Sequence, residues 1–347
     1  MRVLRPCVAS RWHSATGTGV TGLCVAIDLG GTRIKAGVVE NGRVTARSEL
    51  ASDSAAGLGP KLAALGELVD TLAAGRTVHS VGMAMPGIVD RRSRRLTAIN
   101  AKWSDATEID FPAWAAAGWG APLIIENDAV AALAGEWRCG AGAGADGVVM
   151  MTLGTGIGVS AVVDGRLLHG SHGQAAIAGH LTVVAGGHQC TCGNRGCAEA
   201  EASTSVLPGL ARSDRRFATS TLATVDAIDY SHVFQDADTD PLCRDLRDRA
   251  LEVWSALAVS LVHAYDPEIL IVGGGIAAAG DALFTPLSEY LTHYAWTPWG
   301  KVKLRASECG ADAAVLGLAA IAEAEIRSSS RPSTTPDDST MKVSCFI

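Results

Sequence analysis

The sequence predicts an α/β fold. Segments typical of buried strands alternate with segments of helical periodicity, and three of the strands run directly into glycine-rich turns. The chain has 347 residues, of which 48% are hydrophobic and 19% are charged. This length and composition suit one large or two modest globular domains.

The first half of the chain alternates strands and helices. The apolar segment LCVAIDL predicts a buried strand, and an Asn41-Gly42 turn between the next two alternating segments predicts a hairpin. The predicted elements are, in order, a strand over 23–29, two strands within 33–50, a helix within 59–75, a strand over 78–87 that ends in a Pro-Gly turn, a strand over 122–128 and a helix over 129–140.

The second half repeats the pattern. The predicted elements are a hairpin over 147–168 around a glycine-rich turn, a helix over 250–266, a strand over 268–275 that enters a glycine turn, and a closing helix over 310–326. Strands run into glycine turns at both Asp28 and Leu153, which suggests that one structural plan is duplicated.

Charge and cysteine content exclude several classes of protein. The net charge of −7 gives no reason to expect a nucleic-acid partner, and no apolar run approaches the length of a membrane span. The N-terminal lead over 1–22 lacks the apolar centre of a secretory signal, so we expect a cytoplasmic protein. Nine cysteines in such a chain favour thiols or metal ligands over disulfides. The Pro/Ser/Thr-rich tail over 328–347 is predicted to be disordered.

Two glycine turns could hold phosphate groups. The segment DLGGTRIK, from Asp28 to Lys35, contains Gly30, Gly31 and Thr32, whose backbone N–H groups and hydroxyl can face an anion. The segment LGTGIG repeats the device. Each turn alone is equally well explained as a tight hairpin, and neither is a Walker loop. Together they suggest a clamp on a polyphosphate, with Asp28 holding Mg²⁺ directly or through water.

Three cysteines lie within eight residues, in the pattern Cys-x-Cys-Gly-x-x-Gly-Cys over 190–197. A histidine stands ten residues before the first cysteine, and His188 stands closer. Four such ligands at short spacing suit a closed tetrahedral zinc site. A disulfide between Cys190 and Cys192 would close a strained loop.

Six motifs carry a resemblance to a known family. They occur in the order AIDLGGTRIKAGVV, MAMPGIVD, ENDAVAALAGE, LGTGIGVSAVVDGRLLHG, GHLTVVAGGHQCTCGNRGCAE and DPEILIVGGGI, and in this order they resemble the ROK family of sugar kinases and repressors. The resemblance covers residues 23–326. It implies an actin-like (ribonuclease H-like) two-domain ATPase fold, with a structural zinc loop, that closes over ATP and a hexose.

The resemblance also implies a division of the chain. We expect a small α/β domain over 23–126, a large α/β domain with the zinc loop over 127–310, and a closing helix near 311–326 that packs on the small domain. A homodimer is expected, with a sugar and ATP as small-molecule partners and no nucleic acid or membrane.

The same resemblance assigns roles to individual residues. It implies a structural zinc held by His180, Cys190, Cys192 and Cys197, and it favours His180 over His188 because His180 lies in the family's Gly-His motif. It implies phosphate contacts from the residues of three glycine turns: Asp28, Gly30, Gly31, Thr32 and Lys35; Gly154, Thr155 and Gly156; and Gly273, Gly274 and Gly275.

The family's catalytic base maps onto Asp128. Phosphoryl transfer to a sugar hydroxyl needs a carboxylate within reach of that hydroxyl, and Asp128 follows a strand and begins a helix. Taken alone, that position is better explained as a helix N-cap. The resemblance makes Asp128 the base and gives sugar contacts to Asn127, Asp128, His180 and Glu199.

Two positions depart from the family pattern. Ile177 stands where the family has a glutamate that contacts ring hydroxyls, so either the hexose specificity has shifted or the activity is weak; a shift is favoured because Asp128 and both phosphate turns are intact. Lys102 lies near the expected sugar pocket, although a lone lysine is usually a solvated surface charge.

These observations predict ATP-dependent phosphorylation of a hexose at its 6-hydroxyl. The chain also resembles the kanosamine (3-amino-3-deoxyglucose) kinases of ansamycin antibiotic pathways, so we expect a glucose-type amino sugar. The alternatives are a glucokinase, or a sugar-binding ROK protein without strong catalysis. A repressor of the family would need a DNA-binding domain before residue 23, and we expect none in some twenty residues.

Overall fold

The computed structural model describes residues 23–31, 33–99, 102–175 and 177–329. The predicted N-terminal lead over 1–22, Thr32 and residues 330–347 of the predicted tail lie outside the described residues. The α/β class is confirmed for these residues. Their strands form two five-stranded sheets, and helices lie between the strands along the chain.

The first sheet has the strand order β3-β2-β1-β4-β7. Its strands are β1 (Leu23–Leu29), β2 (Arg33–Glu40), β3 (Arg43–Ala51), β4 (Val78–Met85) and β7 (Leu123–Asn127). The first three form an antiparallel meander, and β4 and β7 add in parallel to β1. The predicted Asn41-Gly42 turn joins β2 to β3 with φ of 51° and 72°, as a two-residue hairpin turn with left-handed residues requires.

The second sheet repeats this topology with the order β10-β9-β8-β11-β12. Its strands are β8 (Val148–Leu153), β9 (Ile157–Val163), β10 (Arg166–Leu167), β11 (Ile269–Gly273) and β12 (Lys303–Ala306). Again three strands form an antiparallel meander and two add in parallel. A separate hairpin pairs β5 (Gly87–Asp90) with β6 (Arg95–Ile99). The duplication suggested by the two glycine turns is therefore present in the strand topology.

Helices cover the sheets. They are α1 (Leu62–Ala73), α2 (Phe111–Trp119), α3 (Asp128–Cys139), α4 (Ala198–Ala202), α5 (Leu207–Ser213), α6 (Tyr230–Asp236), α7 (Pro241–Tyr265), α8 (Asp281–Tyr294) and α9 (Ala313–Ser329). In the described part of the chain, no helix is long and apolar enough to cross a membrane.

Helices α3 and α9 cross each other, and α9 packs on the first sheet. Ala131 and Ala134 of α3 share a buried cluster with Leu318 of α9 and with residues of β1 and β4. Two glycines allow the crossing, because a Cβ on Gly135 would overlap the Ala313 carbonyl and a Cβ on Gly317 would overlap the Ala131 carbonyl. The far side of α3 packs through Leu133 on the second sheet. These two helices therefore join the two sheets.

Several elements differ from the sequence predictions. Helix α7 begins at Pro241, nine residues before the predicted start, with Asp240 as its N-cap. Helices α2 and α8 and the β5–β6 hairpin were not predicted; α8 contains Pro286, which is typical of a helix break. The segment 207–240, for which no role was predicted, contains α5 and α6. The domain boundaries at 126 and 310 remain predictions.

Candidate functional site

The predicted base lies at the start of α3. Asn127 ends β7 and is the N-cap of α3: its Oδ1 accepts hydrogen bonds from the N–H groups of Ala129 (3.0 Å) and Val130 (3.2 Å). The alternative explanation of Asp128 as the N-cap therefore fails, since Asn127 fills that role. Asp128 accepts one bond from the Ala129 N–H (2.8 Å), which leaves its second carboxylate oxygen for another partner.

Asp128 has an altered acidity. Burial raises its pKa to about 6, and the charge of Asp28 adds to the rise. The Ala129 N–H and the Lys102 ammonium act in the opposite direction. A carboxylate with a pKa near 6 is ionised at neutral pH and is a stronger base than an ordinary aspartate, which suits proton abstraction from a hydroxyl.

Asp28 lies next to the first glycine turn. It pairs with Lys35 across the β1–β2 ladder, so the two side chains stand on one face of the sheet. Burial raises the pKa of Asp28, and the charge of Lys35 opposes that rise. Gly31, which directly precedes Thr32 in the sequence, is exposed. A half-buried carboxylate beside an exposed glycine turn suits Mg²⁺, which is commonly bound by a carboxylate together with phosphate oxygens.

The other two glycine turns meet each other. Gly274 has φ of 84°, and a Cβ there would overlap backbone atoms of Leu153, so the β11 turn packs on the end of β8. Thr155 and Gly275 are exposed, whereas Gly273 is buried in β11. The residues after α4 brace the β8–β9 turn, because Thr204 N–H donates to the Gly154 carbonyl (2.9 Å) and Ser205 N–H to the Thr155 carbonyl (3.1 Å).

Two of the predicted sugar-contact residues, His180 and Glu199, lie next to the start of β9. Glu199 Oε2 accepts a hydrogen bond from Ile157 N–H (2.9 Å). The turn that carries His180 packs on the same strand, since a Cβ on Gly179 would overlap the Ile157 carbonyl. Helix α3 is tied to β9 by Ser160, whose hydroxyl donates to the Ala129 carbonyl (2.8 Å). His180 and Glu199 are thus placed next to the first residue of β9, and the residue after Asp128 packs on the same strand; the sugar contacts of Asn127, Asp128, His180 and Glu199 remain predictions.

The four predicted zinc ligands form a cluster. The ligand atoms of His180, Cys190, Cys192 and Cys197 all lie within 4.8 Å of one another. His180 Nδ1 faces Cys190 Sγ at 3.4 Å, and the Sγ atoms of Cys192 and Cys197 are 3.7 Å apart, so these thiols are not in a disulfide. One imidazole and three thiols are the ligand set of a closed structural zinc site, and the cluster could bind zinc.

The thiols differ in acidity. Burial raises the pKa of Cys197 to about 12, and the neighbouring thiols Cys192 and Cys190 add to the rise. The N–H of Asn194 holds the pKa of Cys192 below its ordinary value. A divalent cation among these sulfurs would favour the thiolate forms, so metal binding would offset the cost of burying Cys197.

The rival ligand His188 has another partner. Its Nδ1 lies 2.7 Å from Oε2 of Glu201, a buried carboxylate that also accepts from the His188 N–H and from Arg249. His188 is therefore engaged in an ion-pair network outside the ligand cluster. This arrangement favours His180, as the resemblance implies.

The two departures from the family pattern both lie at this site. Ile177 directly precedes the turn of Ala178–His180, and its side chain is 43% exposed, which is unusual for isoleucine. Lys102 is half-buried rather than a solvated surface charge, and its Nζ lies against Gly31. Lys102 could not be assigned a role from the sequence, because a single lysine carries no spacing signal.

The sequence and fold match known proteins. Residues 24–325 match the ROK family. A glucokinase of Thermotoga maritima is 32% identical over 310 residues, which are 87% of this chain and 98% of that protein. A glucokinase of Streptomyces coelicolor is 32% identical over 320 residues, with the same coverage of 87% and 98%.

A solved structure agrees with these matches. The crystal structure of a ROK family glucokinase from Streptomyces griseus, in complex with glucose and AMPPNP, superimposes with a TM-score of 0.73 at 29% identity and covers 86% of this chain and 99% of that chain. The chain therefore belongs to the ROK family, has the actin-like two-domain α/β fold of its kinases, and is a glucokinase-like sugar kinase.

Proposed function

We propose that this chain transfers the terminal phosphoryl group of ATP to the 6-hydroxyl of a glucose-type hexose. The observation that carries the proposal is the position of Asp128 at the start of α3, a helix tied to β9, the strand whose first residue contacts Glu199 and the turn of His180. Its pKa of about 6 suits a base that accepts the hydroxyl proton at neutral pH.

The other residues bind and orient the reactants in this proposal. Asn127 uses its Oδ1 on the helix cap and one Nδ2 hydrogen on the Gly87 carbonyl (3.0 Å), which leaves one N–H to donate to a sugar hydroxyl. The exposed glycine turns present N–H groups to the phosphates. Mg²⁺ held by Asp28 would neutralise phosphate charge, and zinc at the cysteine cluster would hold the turn that carries His180.

For the hexose we propose 3-amino-3-deoxyglucose, with glucose as the second candidate. Ile177 favours a change in specificity, because an exposed isoleucine next to His180 cannot accept the hydroxyl hydrogen bonds of the glutamate it replaces. The glucokinases among the relatives favour glucose. A homodimer in the cytoplasm is part of the same proposal.

A coupled ADP-release assay tests the proposal. The protein is incubated with Mg·ATP and, separately, glucose, 3-amino-3-deoxyglucose, glucosamine, N-acetylglucosamine and mannose, and the phosphorylated position is determined by NMR. We expect turnover with the first two sugars, at the 6-hydroxyl, and higher kcat/KM for the amino sugar. Sugar binding without turnover of any hexose would instead support a sugar-binding protein that lacks catalysis.

A further inference from the structure

Lys102 places a positive charge over the first glycine turn. Its Nζ lies so close to Gly31 that a Cβ on that residue would clash with it. The same ammonium lowers the pKa of Asp128, so its charge also acts on the predicted base. Among the described residues, no carboxylate forms an ion pair with Lys102 within 4.0 Å. A half-buried ammonium without an ion-pair partner is costly, unless a ligand supplies the negative charge.

The backbone beside Lys102 is held in an unfavourable conformation. Trp103 has φ of 52°, in the left-handed region, which bulky residues rarely adopt. Its side chain is fully buried, and its Nε1–H has no hydrogen-bond partner among the described residues. Such conformations persist only where the surroundings enforce them, and they concentrate at functional sites.

Hydrogen bonds of Trp103 and of nearby Asp105 hold the backbone in this conformation. The Trp103 N–H donates to the Ser54 carbonyl (3.1 Å). Asp105 accepts from the N–H groups of Leu58 (2.7 Å) and Gly59 (2.8 Å). The segment after β6 is therefore fixed to the segment before α1, and the direction of the Lys102 side chain is set by the fold.

We propose that Lys102 is a further catalytic residue, which contacts the terminal phosphate of ATP. This inference rests on the proposed function. The ammonium lies against Gly31, in the turn expected to hold phosphates, and its charge acts on the carboxylate expected to receive the hydroxyl proton. A terminal phosphate held at that turn would therefore meet this cation. A fixed cation at this point stabilises the charge that develops on the equatorial oxygens during transfer.

Phosphoryl transfer forms one bond to phosphorus and breaks another. The sugar 6-oxygen forms a bond to the terminal phosphorus while its proton passes to Asp128. The bond from that phosphorus to the bridging oxygen breaks, and ADP leaves with the electron pair. Lys102 keeps its proton throughout and donates hydrogen bonds to oxygens of the transferred group.

Nucleotide affinity tests the contact without turnover. Calorimetry with Mg²⁺ compares AMPPNP, which has a terminal phosphoryl group, with ADP, which lacks it, in the wild-type protein, Lys102→Met and Lys102→Arg. Loss of one charged hydrogen bond should weaken AMPPNP binding about 10- to 100-fold in Lys102→Met. ADP binding should change less than about threefold. Lys102→Arg should recover most of the AMPPNP affinity, because it keeps the charge.

Turnover gives a second readout. At about pH 8.5, well above the Asp128 pKa of about 6, ionisation of the base is complete in every variant. There kcat of Lys102→Met should fall about 10²- to 10³-fold, the usual cost of removing one fixed donor. Equal effects on AMPPNP and ADP, or a loss of kcat that disappears at this pH, would overturn the proposal.

The inference and the proposed function fail in different ways. If the wild-type protein phosphorylates no hexose but Lys102→Met weakens AMPPNP alone, the phosphate contact stands and the kinase proposal falls. If the wild-type protein turns over sugar and Lys102→Met binds both nucleotides normally with normal kcat, Lys102 does not contact the terminal phosphate and the inference falls. Near-UV circular dichroism of each variant checks that the packing around the aromatic side chains is intact.

Discussion

Asn127 caps helix α3 and Asp128 is the predicted base, so a substitution at Asp128 can test catalysis without removing the helix cap. Asp128→Asn should lower kcat by at least about 10²-fold, because an amide cannot accept the hydroxyl proton. Stability should be nearly unchanged, since Asn127 rather than Asp128 caps α3. Steady-state kinetics measure the loss of kcat. The sugar affinity should stay within a modest factor of the wild-type value.

The matched control is Asp110→Asn. Asp110 caps α2 by accepting from the Ala113 N–H (3.0 Å), and asparagine caps equally well, so this variant should keep wild-type turnover. Near-native turnover of Asp128→Asn would show that Asp128 is not the base.

Ile177→Glu restores the family residue. The isoleucine is 43% exposed, so the new carboxylate would stay hydrated and the substitution should not unfold the protein. One or two hydrogen bonds to sugar hydroxyls, each about 0.5–1.5 kcal/mol, should raise kcat/KM for glucose about two- to a hundredfold.

The ratio of kcat/KM for glucose to that for 3-amino-3-deoxyglucose is measured in both proteins. Leu181→Glu is the control, because Leu181 is similarly exposed (41%) and stands on the other side of His180. A ratio that Ile177→Glu leaves unchanged would mean that position 177 does not contact the sugar.

Sequence reasoning proposed candidate residues for the site but not their local roles. Asp128 matched the family base, whereas its position at a helix start was, taken alone, better explained as an N-cap, and the hydrogen bonds of Asn127 distinguish the two. Lys102 could not be assigned, because its proximity to Gly31 depends on the left-handed backbone of Trp103. Such conformations are favoured by glycine and asparagine, so a tryptophan gives no sequence signal.

At the scale of elements, the zinc loop gives the next prediction. The protein should contain one zinc per chain, and Cys192→Ser should lose it and unfold at lower temperature, because ligation is coupled to folding. Elemental analysis and thermal melts check this. His188→Gln should retain zinc, since His188 faces Glu201 rather than the cluster. Zinc retained by Cys192→Ser would contradict the assigned ligands.

The crossing of α3 and α9 should be sensitive to a single methyl group. Gly317→Ala would push a Cβ into the Ala131 carbonyl, and such overpacking costs about 1–3 kcal/mol or more. Gly66→Ala is the control, because Gly66 lies within α1 with no atom near its would-be Cβ, and it should stabilise by about 0.5–1 kcal/mol.

Urea unfolding followed by circular dichroism measures both changes. Equal midpoints for Gly317→Ala and the wild-type protein would show that the two helices can move apart without cost. Because this crossing joins the two sheets, a lower midpoint together with altered turnover would also indicate that the helix spacing positions the cleft.

Elements with a strong apolar pattern or a characteristic turn were predictable from the sequence, and elements without either were not. The buried strands β1, β7 and β11 are continuous apolar runs, and the Asn41-Gly42 turn fixes its hairpin. Helix α8 was not predicted, and it contains Pro286 inside the helix, where a proline removes one backbone hydrogen bond and is typical of a kink or break. The short strands β5, β6 and β12 have too few residues for alternation to be recognised.

At the scale of the whole molecule, the cleft brings together charges from separate elements. Asp28 lies on the first sheet, Asp128 begins the helix that joins the sheets, and Lys102 projects from the segment after β6. The pKa of Asp128 depends on its surroundings, since burial and Asp28 raise it whereas Lys102 lowers it. The pH dependence of activity should therefore report this arrangement.

Asp128 must be ionised to accept the hydroxyl proton, so activity is present above its pKa and is lost as pH falls through it. With a pKa of about 6, kcat/KM, which reports the free enzyme, should fall about tenfold per pH unit below that value. In Lys102→Met the acid limb should move to higher pH, because removal of the ammonium leaves burial and Asp28 less opposed. Kinetics from about pH 5 to 8.5 measure the acid limb in both proteins. Recovery of full activity on return to about pH 7.5 excludes irreversible loss of zinc and irreversible unfolding as the cause. Constant kcat/KM down to about pH 5 would mean that Asp128 titrates like an ordinary aspartate, and that the cleft does not bury it in the enzyme that meets its substrates.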